Sequence, residues 1–138
     1  MQSAAIAYDW VVENIGKYEV EKLKQTSGKI HDEIEALARQ SPIGSHGVFF
    51  LPYLMGERSP IWDENTKGGF IGVTLFNQRS DLFRAAYEGV AYALRSVIDC
   101  LEENGLFIRD LTLIGGGAKS PFWNEVIGRC LQQTPKDP

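Results

Sequence analysis

The sequence predicts an α/β fold, because segments typical of strands and segments typical of helices alternate along its 138 residues. Three observations support this prediction: a long amphipathic stretch at 81–104, two short aromatic runs at 47–53 and 69–74, and a strand–turn–helix pattern at 111–128. Roughly three strands can be recognised, whereas a sheet usually has about five or six. We therefore expect the chain to be part of a larger fold.

The composition is that of an ordinary globular domain, with 43% hydrophobic and 23% charged residues. The chain has 14 Lys and Arg against 18 Asp and Glu, a net charge of −4. This mild acidity argues against nucleic acid as a partner and against a polybasic membrane anchor. A small phosphorylated ligand stays open, since backbone N–H groups can bind phosphate without net positive charge.

The two cysteines and the chain's apolar runs bear on its cellular compartment. Cys100 and Cys130 lie in apolar, helix-like contexts, so we expect free thiols in a reducing compartment. No apolar run approaches the ~18 residues of a membrane span, and the N-terminal stretch lacks the basic start and apolar centre of a signal peptide. These features predict a cytoplasmic protein with no membrane contact.

The first half of the chain contains two predicted helices and two predicted strands. Ser3 to Lys17 reads as a helix, and Lys29 to Arg39 as a more polar one. The run at 47–53 predicts a buried strand, and the run at 69–74 a second strand in which Gly72 marks a bend. The predicted apolar faces of the two helices comprise Ile6, Trp10, Val11 and Ile15, and Ile30, Ile34, Leu37 and Ala38.

The second half contains the clearest helix, from Asp81 to Asn104, with Ser80 as its predicted N-cap and Gly105 as the residue after its C-terminus. A short buried strand is predicted at 111–114, followed by a last helix with Ser120 as its cap and Pro121 at its first position. The predicted apolar stripes of these helices comprise Phe83, Ala86, Tyr87, Val90, Leu94, Val97, Ile98 and Leu101, and Phe122, Val126, Ile127 and Leu131.

Three consecutive glycines between the last predicted strand and helix give the best chemical lead. Without Cβ atoms, the backbone at Gly115, Gly116 and Gly117 can adopt a positive φ and approach a ligand closely. The helix that follows offers unpaired N–H groups and a partial positive charge, which suit a phosphate or a nucleoside. A plain strand-to-helix turn with tight packing is the alternative. The spacing matches neither a P-loop nor a dinucleotide-binding GxGxxG motif.

Other candidate groups give weaker signals. His31 and His46 have no partners at metal-ligand spacing and read as exposed histidines. Asp81 reads as the charge that starts a helix, and Glu57 as part of a loop ion pair with Arg58. Asp63, Glu64 and Glu88 are further carboxylates whose pKa the sequence does not give. Ser120 lacks the context of a nucleophile, and Trp123 either stacks on a purine or packs into the core.

Three ordered blocks resemble the FGGY carbohydrate kinases. Gly68, Phe70, Gly72 and Val73, with seven residues between Val73 and the run DLFRAAYE, resemble the second signature of that family. The upstream stretch FLPYLMGERSPIWDENTKGGFIG and the downstream stretch LIGGGAKSPFW are similar to further family blocks, in the same order and at the same spacing. GERSP, FRAAYEGVAYALR and GGGAKSPFW resemble xylulokinases in particular, with gluconate kinases as the alternative.

The resemblance implies a partial ribonuclease H-like domain of the actin/hexokinase/Hsp70 ATPase type. Residues 1–138 would form the later part of the C-terminal kinase domain. The N-terminal domain, including its phosphate loop and the general-base Asp, and the final strand and helix are expected outside this chain, so no catalytic residue is assigned within it. The resemblance places seven residues at the nucleotide: Ala5, where the family has glycine, and Gly115, Gly116, Gly117, Ala118, Trp123 and Asn124.

For the intact enzyme, the resemblance implies transfer of a phosphoryl group from ATP to a small sugar, with Mg²⁺ bridging the ATP phosphates. Xylulose is the expected sugar, with gluconate or another sugar or polyol as alternatives, and this fragment alone is expected to be inactive. Two other readings remain: a non-enzymatic binding module of the actin-like fold, and an interaction domain whose exposed apolar surface pairs copies into a homo-oligomer.

Overall fold

A single long helix organises the domain, and the other elements pack around it. The computed structural model describes residues 4–26 and 28–132. The elements are, in order, α1 (Ala4–Ile15), α2 (Lys17–Leu23), α3 (Ile30–Ala38), β1 (Phe49–Leu51), β2 (Gly69–Ile71), α4 (Arg79–Glu103) and α5 (Pro121–Leu131). Short 3₁₀ turns lie at Ser45–Gly47 and Gly117–Lys119. The described part of the chain is thus mixed α/β and rich in helix.

The central helix α4 confirms the predicted amphipathic stretch and its C-terminal signal, but it begins at a different cap. Gln78 is the N-cap, and its backbone N–H donates to the carboxylate of Asp81 at 2.9 Å. The prediction of Ser80 as the N-cap is wrong, because Ser80 lies buried in the first turn of the helix. The reason is that the longer carboxylate three positions into the helix reaches back to satisfy the free N–H. At the other end, Gly105 has a φ of +82°, as predicted.

The core forms where α4 meets α1, α3, α5 and β1. Helix α4 approaches β1 closely at Gly89. A Cβ built on Gly89 would lie 2.1 Å from the carbonyl oxygen of Phe50. The predicted stripe of α4 is confirmed in its first half, where Phe83, Ala86, Tyr87 and Val90 are buried; Ile98 is also buried. The predicted face of α5 is buried throughout, and its Ser120 cap is confirmed by a hydrogen bond from the Trp123 N–H at 3.1 Å.

The N-terminal helix is shorter than predicted, and its buried face is different. Gly16 separates α1 from α2, so the predicted helix to Lys17 is two helices; Ser3 lies outside the described residues. Ile6 and Trp10, expected on the apolar face, are 51% and 42% exposed. Val11 is buried and Ile15 packs against the core, as predicted, but the rest of the buried stripe consists of Ala7, Tyr8 and Val12. Helix α3 buries Ile34 and Ala38, as predicted.

The sheet consists of two antiparallel strands, with Phe49 paired with Ile71 and Leu51 paired with Gly69. Within β1 only Phe50 is buried, because one face of the strand rests on α4. The buried strand predicted at 47–53 is therefore present, but it is shorter than predicted and buried on one face. Gly72 has a φ of +83°, which confirms the predicted bend.

The strand predicted at 111–114 is not formed in the described part of the chain. Of these four residues only Thr112 forms an isolated β-bridge, Ile114 is 81% exposed, and neither β1 nor β2 pairs with this segment. Extended backbone becomes a strand only beside a partner strand, and a sequence pattern does not supply that partner. Cys100 and Cys130 are free thiols, as predicted. Among the described residues, no helix has the length and apolarity needed to cross a bilayer.

Candidate functional site

A cavity of about 780 Å³ is lined by the glycine turn and by residues of four helices, α1, α3, α4 and α5. It is bounded on one side by residues of α1 and α3, on its inner side by residues of α4, and on the far side by the turn and the start of α5. A cavity of this size falls within the usual range for small-molecule and cofactor sites. Its inner wall is apolar and aromatic, with Tyr8, Tyr87, Val90, Leu94, Trp123 and Ile127 among the lining residues.

The glycine turn forms one wall of this cavity and presents bare backbone to it. Gly115 has a φ of +93°, which an L-residue with a side chain rarely adopts. A Cβ built on Gly115 or Gly116 would meet nothing within 4 Å, so this wall is open to whatever the cavity holds. Among the described residues, no backbone carbonyl accepts a hydrogen bond from the N–H of Gly115 or Gly116. The 3₁₀ turn at Gly117–Lys119 connects these glycines to the N-terminus of α5, where Pro121 has no N–H and the Ser120 hydroxyl accepts the N–H of Trp123. The positive end of the helix dipole still lies beside the turn.

Three aromatic rings form the floor below the turn. The Trp123 ring lies 4.6 Å from the Tyr87 ring and 5.5 Å from the Tyr8 ring, measured between centroids, and the two tyrosine rings are 5.0 Å apart. The sequence left two roles open for Trp123, a purine stack or core packing. The structure places it at the boundary, because its ring packs on two core tyrosines and also lines the cavity. Such a floor suits the flat face of a nucleobase.

A short chain of polar groups runs through this floor. The Tyr8 hydroxyl is 2.9 Å from the Tyr87 hydroxyl and 3.3 Å from Nδ1 of His31. Burial raises the pKa of Tyr8 to about 12, although its hydrogen bond with Tyr87 acts in the opposite direction. Both phenols therefore keep their protons at neutral pH. Sequence reasoning missed Tyr8, since nothing in an apolar helix marks one tyrosine as a cavity residue.

His31 is exposed, as predicted, but it also lies at the cavity, which the sequence did not reveal. Its ring stacks on Tyr8 with centroids 5.7 Å apart, and it lines the edge of the cavity. His46 lies elsewhere, in an exposed turn, where its Nδ1 is 2.9 Å from a carboxylate oxygen of Asp81. Among the residues that the structure describes, no group of three or more His, Cys, Asp or Glu side chains could hold a metal ion.

Charged side chains of both signs surround the cavity. Lys29, Arg39 and Lys119 are the basic residues in its lining, and Asp32 and Glu35 are the acidic ones. The Glu35 carboxylate accepts hydrogen bonds from Arg39 and from the hydroxyl of Ser120, the cap of α5. The site is therefore electrostatically mixed, and its anion-binding capacity rests on backbone N–H groups rather than on a cluster of basic side chains.

Six of the seven residues predicted to contact a nucleotide line this one cavity: Ala5, Gly115, Gly116, Gly117, Ala118 and Trp123. The seventh, Asn124, is not among the lining residues. Its Nδ2 donates to the carbonyl oxygen of Ala118 at 3.1 Å, so it supports the turn from behind. Its Oδ1 is buried without a hydrogen-bond partner among the described residues. Asn124, predicted to contact the nucleotide, therefore contacts the turn but does not line the cavity.

The candidate carboxylates lie away from the cavity and have structural partners. Asp81 is buried and accepts the Ser41 hydroxyl at 2.6 Å, consistent with the predicted helix-starting role. Glu88 is buried and accepts from Nε of Arg84 at 2.8 Å and from the backbone N–H of Gly44. Glu57, expected to form a loop ion pair with Arg58, instead accepts the backbone N–H of that residue at 2.7 Å.

Residues 1–135 match the family model of the FGGY carbohydrate kinases, C-terminal domain. The chain belongs to this family. It is 42% identical to a xylulose kinase of Staphylococcus epidermidis over 108 residues, 77% of this chain and 22% of that protein. A gluconokinase of Bacillus subtilis is 31% identical over 134 residues, 96% of this chain and 26% of that protein.

The solved structures give the same family. A structure described as a xyloylose kinase from Brucella ovis superposes with a TM-score of 0.79 at 30% identity, covering 97% of this chain and 26% of that one. The chain thus spans about a quarter of the length of the family members it matches. The resemblance stated from the sequence motifs is confirmed at the level of the family.

Proposed function

We propose that this chain is the nucleotide-binding portion of an ATP-dependent sugar kinase that acts on xylulose. Relatives described as xylulose kinases are 37–42% identical to it over most of its length. In this proposal, residues 1–138 form the later part of the C-terminal domain, a partial ribonuclease H-like domain of the actin/hexokinase type. The general-base Asp and the residues that select the sugar lie outside it.

One structural observation supports the proposal most directly: a bare glycine turn faces an aromatic floor across a ligand-sized cavity. Open space lies where the Cβ atoms of Gly115 and Gly116 would be. The phosphates of ATP can therefore approach the N–H groups of the turn. The N-terminus of α5 adds a partial positive charge for the α-phosphate. The rings of Trp123, Tyr8 and Tyr87 provide an apolar surface for the adenine.

Such a site acts by positioning. Phosphoryl transfer depends on alignment and charge stabilisation more than on covalent chemistry by the protein. In this proposal the residues of the chain bind the adenosine end of ATP and orient it, so that the γ-phosphate points to the sugar. The described residues offer no cluster of metal ligands, so they do not fit as the holder of the Mg²⁺ ion, and we assign them no step through it.

Gluconate is the alternative substrate, because gluconokinases are also among the relatives, at lower identity than the best xylulose kinases. A non-enzymatic module would share the fold but would not turn over ATP. A panel of sugars, with ADP release measured for the full-length protein that carries this chain, separates these functions. Release that depends on xylulose supports the proposal, release that depends on gluconate favours the alternative, and no release with any sugar favours the module. A homo-oligomer and a cytoplasmic location stay predictions.

The nucleotide site is tested by Gly116→Asp. Gly116 has an ordinary helical φ of −61°, and its Cβ would enter open space, so the variant should fold normally. The added carboxylate would repel the phosphates, and we expect ATP affinity to fall at least about tenfold, the effect of ~1.4 kcal/mol. Gly116→Ala is the matched control, because it adds the Cβ without the charge. Wild-type ATP affinity in the Asp variant would remove this turn from the site.

A further inference from the structure

We propose that Glu35 is a positioning residue for the glycine turn, and that it acts through the hydroxyl of Ser120; this inference rests on the proposed nucleotide site. Glu35 lies on α3, and its partner begins α5, 85 positions later in the chain. The Ser120 hydroxyl donates to Oε2 of Glu35 at 2.8 Å. The contact therefore joins α3 to the N-terminus of α5, and both residues line the cavity together with the glycine turn.

The Ser120 hydroxyl has a second, simultaneous role. Its oxygen accepts the backbone N–H of Trp123 at 3.1 Å, which caps α5. A serine hydroxyl has one proton to donate and lone pairs to accept with, so both bonds can form together. Because Glu35 takes the proton, the lone pairs stay directed at the helix N–H groups. Glu35 thus fixes the orientation of the cap as well as the position of its Cα.

The turn needs support from outside because it has little of its own. A Cβ at Gly115 or Gly116 would touch nothing within 4 Å, so no side-chain packing holds these residues in place. The carbonyls of Gly116 and Gly117 accept the backbone N–H groups of Lys119 and Ser120. Beyond these bonds, two side-chain contacts hold the segment that follows: Ser120 with Glu35, and the Ala118 carbonyl with Asn124. A small shift at Ser120 would move the N–H groups of the turn relative to a bound phosphate, and misplaced groups lose binding energy rapidly.

Arg39 holds Glu35 in this position. Its Nη2 and Nε donate to Oε1 of Glu35 at 3.0 and 3.2 Å, which leaves Oε2 for Ser120. The same guanidinium lies 3.3 Å from Glu125 and 4.5 Å from the ring centroid of Phe122, both on α5. The Glu35 side chain is only 21% exposed, so water competes weakly for these hydrogen bonds. Glu35 is therefore oriented before any ligand binds, as a positioning residue requires.

The test is a double-mutant cycle on ATP affinity, measured by calorimetry on the full-length protein that carries this chain. We expect Glu35→Ala and Ser120→Ala each to weaken ATP binding about fivefold to tenfold. The double variant should bind no more weakly than Ser120→Ala alone, because both changes remove the same contact. Glu35→Gln should weaken binding less than Glu35→Ala, since its single amide oxygen can still accept the Ser120 hydroxyl, although its NH2 group then faces the Arg39 guanidinium, which loses its acceptor.

Two further variants keep the test decisive. Glu33→Ala is the matched control on the same helix; its carboxylate pairs only loosely with Lys22, at 3.7 Å, and it does not line the cavity. Its ATP affinity should equal that of wild type. Glu35→Asp keeps the charge but shortens the reach to Ser120, and it should reproduce the loss if Glu35→Ala does not fold.

The possible results separate this inference from the function on which it rests. Wild-type ATP affinity in Glu35→Ala and Glu35→Asp would overturn the inference and leave the nucleotide site intact. Losses that multiply in the double variant would also overturn it, because Glu35 would then contact the nucleotide directly. Failure of the unmutated protein to bind ATP would overturn the proposed function itself, together with this inference.

Discussion

The hydroxyl oxygens of Tyr8 and Tyr87 lie 2.9 Å apart, although 79 positions separate the two residues in the chain. This contact joins α1 to α4 beneath the glycine turn, and both rings also touch Trp123. Burial raises the pKa of both phenols, that of Tyr8 to about 12. The floor of the cavity is therefore a neutral, hydrogen-bonded pair at physiological pH, and its protons have measurable consequences for stability.

The raised pKa values predict a loss of stability in alkaline solution. Above pH 10, the ordinary pKa of tyrosine, the unfolded chain releases phenol protons that Tyr8 and Tyr87 retain in the folded state. We expect the free energy of unfolding to fall as the pH rises from about 10 to 12, by at most ~1.4 kcal/mol per pH unit for each phenol. Urea unfolding at several alkaline pH values measures this slope, and a flat profile would contradict it.

At neutral pH, Tyr8→Phe should destabilise the fold by about 1–2 kcal/mol, because the buried Tyr87 hydroxyl loses its partner. The same variant should show a shallower alkaline slope, since one of the two phenols is gone. Tyr18→Phe is the control, as Tyr18 is 66% exposed. Equal stability of the two variants at pH 7 would mean that the contact between the tyrosines does not stabilise the protein.

The buried carboxylate of Asp81 leads us to expect a loss of stability in acid solution. Burial alone would raise the pKa of this carboxyl, but hydrogen bonds from Ser41, the Gln78 N–H, His46 and Asn77 lower it to about 2. The folded state therefore prefers the carboxylate, and its contribution is present above pH 4 and lost as the pH falls toward 2. We expect Asp81→Asn to cost about 1–3 kcal/mol at pH 7.

The dependence of the unfolding free energy on pH in acid solution tests whether the charge of Asp81, rather than its size, stabilises the fold. Asp81→Asn should flatten the fall in unfolding free energy between about pH 4 and 2, because the titrating group has been removed. Asp99→Asn is the control: Asp99 lies on the same helix and pairs with Arg95 at a half-exposed site. An unchanged acid limb in Asp81→Asn would show that another group controls acid unfolding.

Gly89 predicts a large effect from a single methyl group. A Cβ at this position would lie 2.1 Å from the carbonyl oxygen of Phe50, and backbone cannot move aside as a flexible side chain does. Gly89→Ala should therefore separate α4 from β1 and cost about 1–3 kcal/mol, despite the better helix propensity of alanine. Ser96→Ala, on the exposed side of the same helix, should change stability by less than ~0.5 kcal/mol. Chemical denaturation of both variants provides the comparison.

Cys130 should react slowly with alkylating reagents. Burial raises the pKa of this thiol to about 11, and the nearby charge of Glu88 acts in the same direction. Since the thiolate is the reactive form, we expect alkylation at pH 8 to be at least about tenfold slower in the folded protein than in urea. Peptide mass spectrometry of timed samples gives the rate at Cys130. Equal rates in the two solvents would place the thiol in an unburied environment.

The sequence by itself determined the features that depend on neighbouring residues. The stripe of α4, the cap at Ser120, and the bends at Gly72 and Gly105 were all predicted, because each follows from helical spacing or from the freedom of a residue without Cβ. The same holds for the turn at 115–117. Its three glycines and the helix start beside them are local features, and the structure places them in the wall of the cavity described above. The family followed from three ordered motif blocks, and the family model confirms it.

The tertiary structure decided what depends on partners distant in the chain. It turned α1 so that Tyr8 is buried and Trp10 is exposed, which an amphipathic pattern with two plausible faces does not resolve. It left 111–114 unpaired with β1 and β2. It brought Glu35 to Ser120 across 85 positions. Spacing along a helix fixes which side chains share a face, but only the packing of several helices fixes which face is buried and which distant groups lie within hydrogen-bonding distance.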